Sequence, residues 1–177
     1  MQKLTNLITD NPKYPLSLTL THSKSLLSLR KILTGEIKCI KLTFDHGVLS
    51  DLTQDLALQI LDGFHEFRRQ HPHFVRRLNI KVLGWLDTNL VYLLLRMFDG
   101  AEKVTITNDI LPSSFYLNGT GETSITLTRL DLSYNCKFFL DVLTIYQVSL
   151  NFHVLRLNER SLAEVNALLL PHFTKVR

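Results

Sequence analysis

The sequence predicts an α/β protein built as a repeat array, with about six parallel strands, each followed by a helix or a loop. Three observations predict it. The stretch LTRLDLSYN, residues 127–135, places Leu127, Leu130, Leu132 and Asn135 at the spacing L-x-x-L-x-L-x-x-N. Five weaker copies lie along the same chain, with central apolar pairs beginning at residues 18, 40, 78, 104, 130 and 155. The intervals of 22, 38, 26, 26 and 25 residues mostly fall in the roughly 20–29 residue period of stacked strand-containing repeats. An ordinary doubly wound α/β sheet also alternates strands with helices. The two differ in strand order, which runs on without a switch in a repeat array and reverses in a doubly wound sheet.

The first unit pairs Leu18 with Leu20, and Pro15 stands where its leading apolar residue belongs. SKSLLSLRKIL follows as a helix, with Ser23 as N-cap and Gly35 as C-cap. The second unit pairs Ile40 with Leu42, led by Ile37 and trailed by Asp45. The long interval after it holds LSDLTQDLALQILDGFHEFRRQ, whose Leu52, Leu56, Ile60, Phe64 and Phe67 lie on one face at helical period. The third unit pairs Leu78 with Ile80, between Val75 and Leu83, and LDTNLVYLLLRMF forms its helix up to Asp99-Gly100.

The fourth unit pairs Val104 with Ile106, between Ala101 and Asp109. After it, ILPSSFYLNGTGETSI is rich in Pro, Gly, Ser and Thr and reads as a loop with at most one helical turn. The fifth unit is Leu130 and Leu132, followed by the nearly all-apolar helix CKFFLDVLTIYQVSL. The sixth pairs Leu155 with Leu157, between Phe152 and Arg160. A last helix opens on the capping box Ser161–Glu164 and ends at Pro171. Residues 1–13 read as an arm or cap, and residues 14–177 as a single domain.

The aligned pairs resemble leucine-rich repeats of the longer strand-plus-helix kind, similar to ribonuclease inhibitor, from Leu16 to Phe173. The resemblance implies a solenoid or horseshoe, its parallel sheet on the concave face and its helices on the convex face. It also implies a non-catalytic protein-interaction module that uses the concave strands: an adaptor, an inhibitor or a bacterial effector. Only Asn135 keeps the family's Asn position. Asp45 and Asp109 substitute for it, whereas Leu83 and Arg160 depart from the pattern at units three and six. No F-box-like helical segment precedes the array, which argues against an autonomous ubiquitin-ligase adaptor.

Successive side chains of a strand point to opposite faces. With the leucine pairs in the core, the open face would carry Ser17, Thr19, Thr21, Cys39, Lys41, Thr43, Arg77, Asn79, Lys81, Lys103, Thr105, Thr107, Arg129, Asp131, Ser133, Val154, Arg156 and Asn158. That set holds six basic residues and one acidic one, against 20 and 16 in the whole chain. Positive charge is thus concentrated on one face, and Arg77, Lys103, Arg129 and Arg156 form a slanted stripe across it. The expected contact residues are Lys41, Arg77, Asn79, Lys81, Lys103, Thr105, Arg129, Asp131, Arg156 and Asn158. The expected partner is an acidic protein surface, with phosphate or nucleic acid as an alternative. A merely solubilising role for the same charges stands beside these readings.

Few chemical motifs compete. His71-Pro72-His73 has no cysteine or acidic ligands at zinc spacing, and His65-Glu66 lacks the second histidine of H-E-x-x-H. No metal and no cofactor is expected. Phe44-Asp45-His46-Gly47 follows a strand, where α/β enzymes keep catalytic groups. A small α/β enzyme or regulatory domain with its site at Asp45 and His46 is therefore the alternative reading. Cys39 and Cys136 fall in different repeats and read as free thiols, which suits a reducing compartment. Asn118-Gly119-Thr120 matches a glycosylation acceptor but stands alone as a sign of secretion. With no apolar run of membrane-spanning length and no signal-like h-region, the expectation is an intracellular, cytoplasmic protein, in a host cytoplasm if it is a secreted effector.

Overall fold

The computed structural model describes residues 15–33, 37–118, 121–132 and 136–157, with 136 and 137 as backbone only. The fold is α/β. Its main sheet has six strands: β1 (Leu16–Leu20), β2 (Cys39–Phe44), β3 (Asn79–Gly84), β5 (Lys103–Ile106), β7 (Thr123–Leu132) and β8 (Val148–Leu157). Every neighbouring pair is parallel, and the order β1-β2-β3-β5-β7-β8 follows the chain without a reversal. A second, two-stranded parallel sheet joins β4 (Leu86–Asp87) to β6 (Ile110–Leu111).

Helices α1 (Ser25–Ile32), α3 (Gln54–Gln70), α5 (Thr88–Met97) and α6 (Cys136–Ile145) pack side by side in that order. Between them lie the short α2 (His46–Ser50) and α4 (Pro72–Val75). The core fills the space between helices and sheet. Ile40 and Leu42, Ile80 and Val82, Val104 and Ile106, and Leu130 and Leu132 are all buried. The residues alternating with them are exposed or half-buried, so one sheet face lies under the helices and, among the described residues, nothing covers the other.

Strand pairing moves two of the expected units by two residues. Ile40 is in register with Leu16 and Ile80, Ile80 with Val104, Val104 with Leu130, and Leu130 with Leu155. The aligned pairs are thus Leu16–Leu18 and Ile80–Val82, not Leu18–Leu20 and Leu78–Ile80. Their first members fall at 16, 40, 80, 104, 130 and 155, giving intervals of 24, 40, 24, 26 and 25. Both choices put apolar residues two apart, and side chains repeat every two residues. The slip therefore leaves every strand face unchanged while moving the turns.

Helix boundaries differ too, for local reasons. Ser23 does not cap α1; Lys24 holds that position without a side-chain bond, and the Ser23 hydroxyl is buried without a partner. The expected long helix splits into α2 and α3, because Asp45 caps the first and Thr53 opens the second by accepting from Leu56 N at 3.3 Å. His-Pro-His is the start of a helical turn, not a loop, because Pro72 occupies a first-turn position of α4 where no N–H is needed. The helix after Cys136 stops at Ile145, and Gln147 takes φ 49°, the left-handed turn that launches β8 at Val148. The 1–13 arm, Gly35, Ser133, Asn135, Asn158, Arg160 and the Ser161–Pro171 helix lie outside the described residues.

The segment after β5 is irregular, and a buried polar network holds it. Asp87 caps α5 through Leu90 N at 2.8 Å and accepts from Ser113 Oγ at 2.8 Å. Asn89 donates to Phe115 O at 2.9 Å and accepts from the Tyr146 hydroxyl. Tyr146 stacks on Tyr92 with ring centroids 4.1 Å apart. Burial pushes the Asp87 carboxyl upward despite these bonds, and pushes the Tyr146 phenol up to about 12. Arg68 of α3 donates to Arg96 O and to Met97 O, two carbonyls that the end of α5 leaves unpaired. The network ties the helical layer together and leaves the strand face untouched.

Candidate functional site: the open face of the sheet

Register places the open-face residues in rows. One row runs Cys39, Asn79, Lys103, Arg129 and Val154. The next runs Ser17, Lys41, Lys81, Thr105, Asp131 and Arg156. A third begins Thr19, Thr43 and Leu83. Lys81 and Arg156 are exposed; Lys41, Asn79, Lys103, Thr105, Arg129 and Asp131 are half-buried.

These rows bring together all the expected contact residues but two. Asn158 is outside the described residues. Arg77 is exposed but sits in the turn before β3, aligned with no strand position, so the slanted stripe loses its first member. Asn79 takes the register place that Arg77 was expected to hold, and Leu83 joins the face beside Thr43. The cause is the two-residue slip, which pushes Arg77 out of the strand and draws Leu83 in.

The charges do not act as a uniform stripe. Asp131 carries a carboxylate that binds two cations at once. Lys103 Nζ lies 2.8 Å from Oδ2, while Arg129 meets both oxygens, Nε to Oδ1 at 2.7 Å and Nη2 to Oδ2 at 2.9 Å. Burial alone would raise the Asp131 carboxyl. The hydrogen bonds from Arg129 and Lys103 outweigh it and hold the group below its ordinary value. Among the described residues, Lys41, Lys81 and Arg156 have no ion-pair partner. Lys41 and Lys81 face each other directly across β2 and β3. Uncompensated positive charge is therefore strongest at the β2–β3 end.

A depressed carboxylate contributes stability that is fully present above its unfolded pKa and is lost as pH falls through the folded one. Asp131→Asn should therefore lower stability near neutral pH by up to about 1 kcal/mol, with the difference from the parent closing below pH ~4. Thermal melts across that range measure it, and an unchanged difference at low pH would contradict the assignment.

Asp45 and His46 lie at the carboxyl end of β2. The Asp45 carboxylate accepts from His46 N at 2.6 Å as the cap of α2. The His46 ring stands edge-on to Trp85, centroids 5.8 Å apart, and its Nδ1 is 3.4 Å from Ser50 Oγ. Nearby, His22 Nδ1 lies 3.4 Å from Asp51 Oδ2, and Asp51 Oδ1 accepts from Ser23 N at 2.9 Å. Among the described residues no group of three His, Cys, Asp or Glu side chains is placed to hold a metal ion. The thiol of Cys39 is free and exposed.

Trp85 was missed by sequence reasoning. It is the chain's only tryptophan and is 51% exposed at the end of β3. A lone tryptophan directly after Leu83-Gly84 was the available signal. It went unused because the shifted alignment put Leu83, not Trp85, at the turn position.

No family model, no curated protein and no solved structure matches this chain. Among the described residues no helix is long and apolar enough to cross a membrane.

Proposed function

We propose that the chain is a non-catalytic protein-binding module of the leucine-rich-repeat kind. In this reading it is a strand-and-helix solenoid that docks an acidic protein partner on its open strand face, acting inside a cell as an adaptor, inhibitor or effector. The observation that carries the reading is the sheet itself: six parallel strands in chain order and, among the described residues, every large helix on one side and the other side open. Doubly wound enzymes cover both faces of such a sheet and bind ligands where strand order reverses; here the order never reverses. An open face offers a broad surface and not a cleft, which suits a macromolecule. The free thiol of Cys39 suits a reducing compartment. At the Asp45–His46 corner, the Asp45 carboxylate caps α2, a structural role that accounts for its place there.

The test is affinity capture of a partner followed by titration of the purified pair. Lys41→Glu with Lys81→Glu should weaken binding about a hundredfold, by turning attraction into repulsion at two positions. Asp131→Asn should strengthen it several-fold, by releasing Lys103 and Arg129. Unchanged affinity in both variants, with unchanged circular dichroism, would refute the face as the contact surface. Tight binding to any nucleic acid, falling steeply with salt, would favour phosphate recognition instead.

A further inference from the structure

We propose that this face recognises an acidic protein segment that also carries an apolar side chain, with carboxylates at Lys41 and Lys81 and the apolar group at Trp85. The proposal rests on the reading of the open face as a protein-binding surface and narrows that surface to its β2–β3 part.

Two observations point to a carboxylate. Lys41 and Lys81 are held in register on adjacent strands, about 4.8 Å apart along the sheet. Like charges placed directly opposite each other cost stability, and among the described residues no acidic group relieves this pair. The contrast with Lys103 and Arg129, which share Asp131, is internal to the same face.

Two further observations point to an apolar companion. Leu83 is half-buried on the open face of β3, two residues beyond Lys81. Trp85 follows β3 directly, past the left-handed turn at Gly84; its N–H donates to Phe44 O at 3.0 Å, and its ring is half-exposed at the rim. The His46 ring meets it edge-on from the β2 side. Tryptophans are among the side chains that most often anchor protein interfaces.

The two ends also fix a direction. Asp45, exposed at the rim beside Trp85, repels a carboxylate there and leaves the lysine row as the acidic end.

The experiment is selection from a random-peptide display library against the full chain, with affinities read by fluorescence anisotropy of labelled peptides and Trp85 emission recorded for the parent chain. Enriched peptides should combine Asp or Glu with Leu, Phe or Trp and should shift Trp85 emission to the blue. They should lose about tenfold or more in affinity on Trp85→Ala and on Lys81→Glu, and less on Trp85→Phe. Both positions are at the surface, so circular dichroism should not change and the melting temperature should not fall. Peptides that bind equally to these variants but fail on Arg156→Glu would overturn the β2–β3 assignment while leaving the open-face reading intact. Failure to enrich any peptide would overturn this proposal. So would displacement by inorganic phosphate or by a single-stranded oligonucleotide at matched ionic strength.

Discussion

Alanine at Gly84 is expected to destabilise the protein by about 3 kcal/mol or more. Gly84 ends β3 with φ +91°, a region that side chains rarely enter. An added Cβ would overlap the Phe44 carbonyl oxygen and come within 2.8 Å of the Phe44 nitrogen. That obstacle is the backbone of the adjacent strand, in register with Gly84 itself, and cannot rotate away. Gly100 supplies the control. Its φ is +88°, but the nearest atom to an added Cβ is Val75 Cγ1 at 4.0 Å. Gly100→Ala should cost only the backbone term, roughly 1–2 kcal/mol. Urea unfolding of both variants separates conformational strain from collision. Equal losses would mean that β2 and β3 do not approach as closely as described.

Asn89→Ala is expected to cost about 2–4 kcal/mol, because it takes the acceptor from the buried Tyr146 hydroxyl and the donor from the Phe115 carbonyl, and leaves a cavity in a fully buried site. Asn89 is fully buried. It donates to Phe115 O in the irregular segment and accepts from Tyr146 at the start of the turn into β8. Without it the Tyr146 hydroxyl and the Phe115 carbonyl lose their partner while buried or half-covered. The loss should concentrate locally, so that hydrogen exchange accelerates first over residues 110–118. Asn89→Asp, once its carboxyl is protonated, keeps an acceptor for Tyr146 and one O–H donor for Phe115 O, and should then fall between parent and alanine. A loss for alanine below about 0.5 kcal/mol would show the network to be dispensable.

Both variants act on parts of the molecule that differ in how visible they were beforehand. The polar lock could not be read from the chain. Asp87, Asn89, Ser113 and Tyr146 are scattered over some sixty residues, and nothing local marks them as neighbours. The loop they secure was recognisable from its Pro, Gly, Ser and Thr content, and no more than its irregularity followed from that. The capping of α2 by Asp45 was half visible: its place at the strand end was evident, but the bond to His46 N came only with the turn's geometry.

Strands near each of six apolar pairs, and the side chains of each strand that share a face, follow from local alternation alone. Alternation is a local property, so Lys41, Lys81, Lys103, Arg129 and Arg156 could be assigned to one side without knowing what lay beside them. Only the tertiary structure decided the register. An apolar pair two residues earlier or later satisfies the same alternation, and the choice falls to backbone hydrogen bonds between strands that are distant in the chain. That choice removed Arg77 from the face, put Leu83 on it, set Trp85 at its rim, and let Asp131 reach both Lys103 and Arg129. The charge carried by the face is a matter of composition; where that charge remains free to act is a matter of pairing.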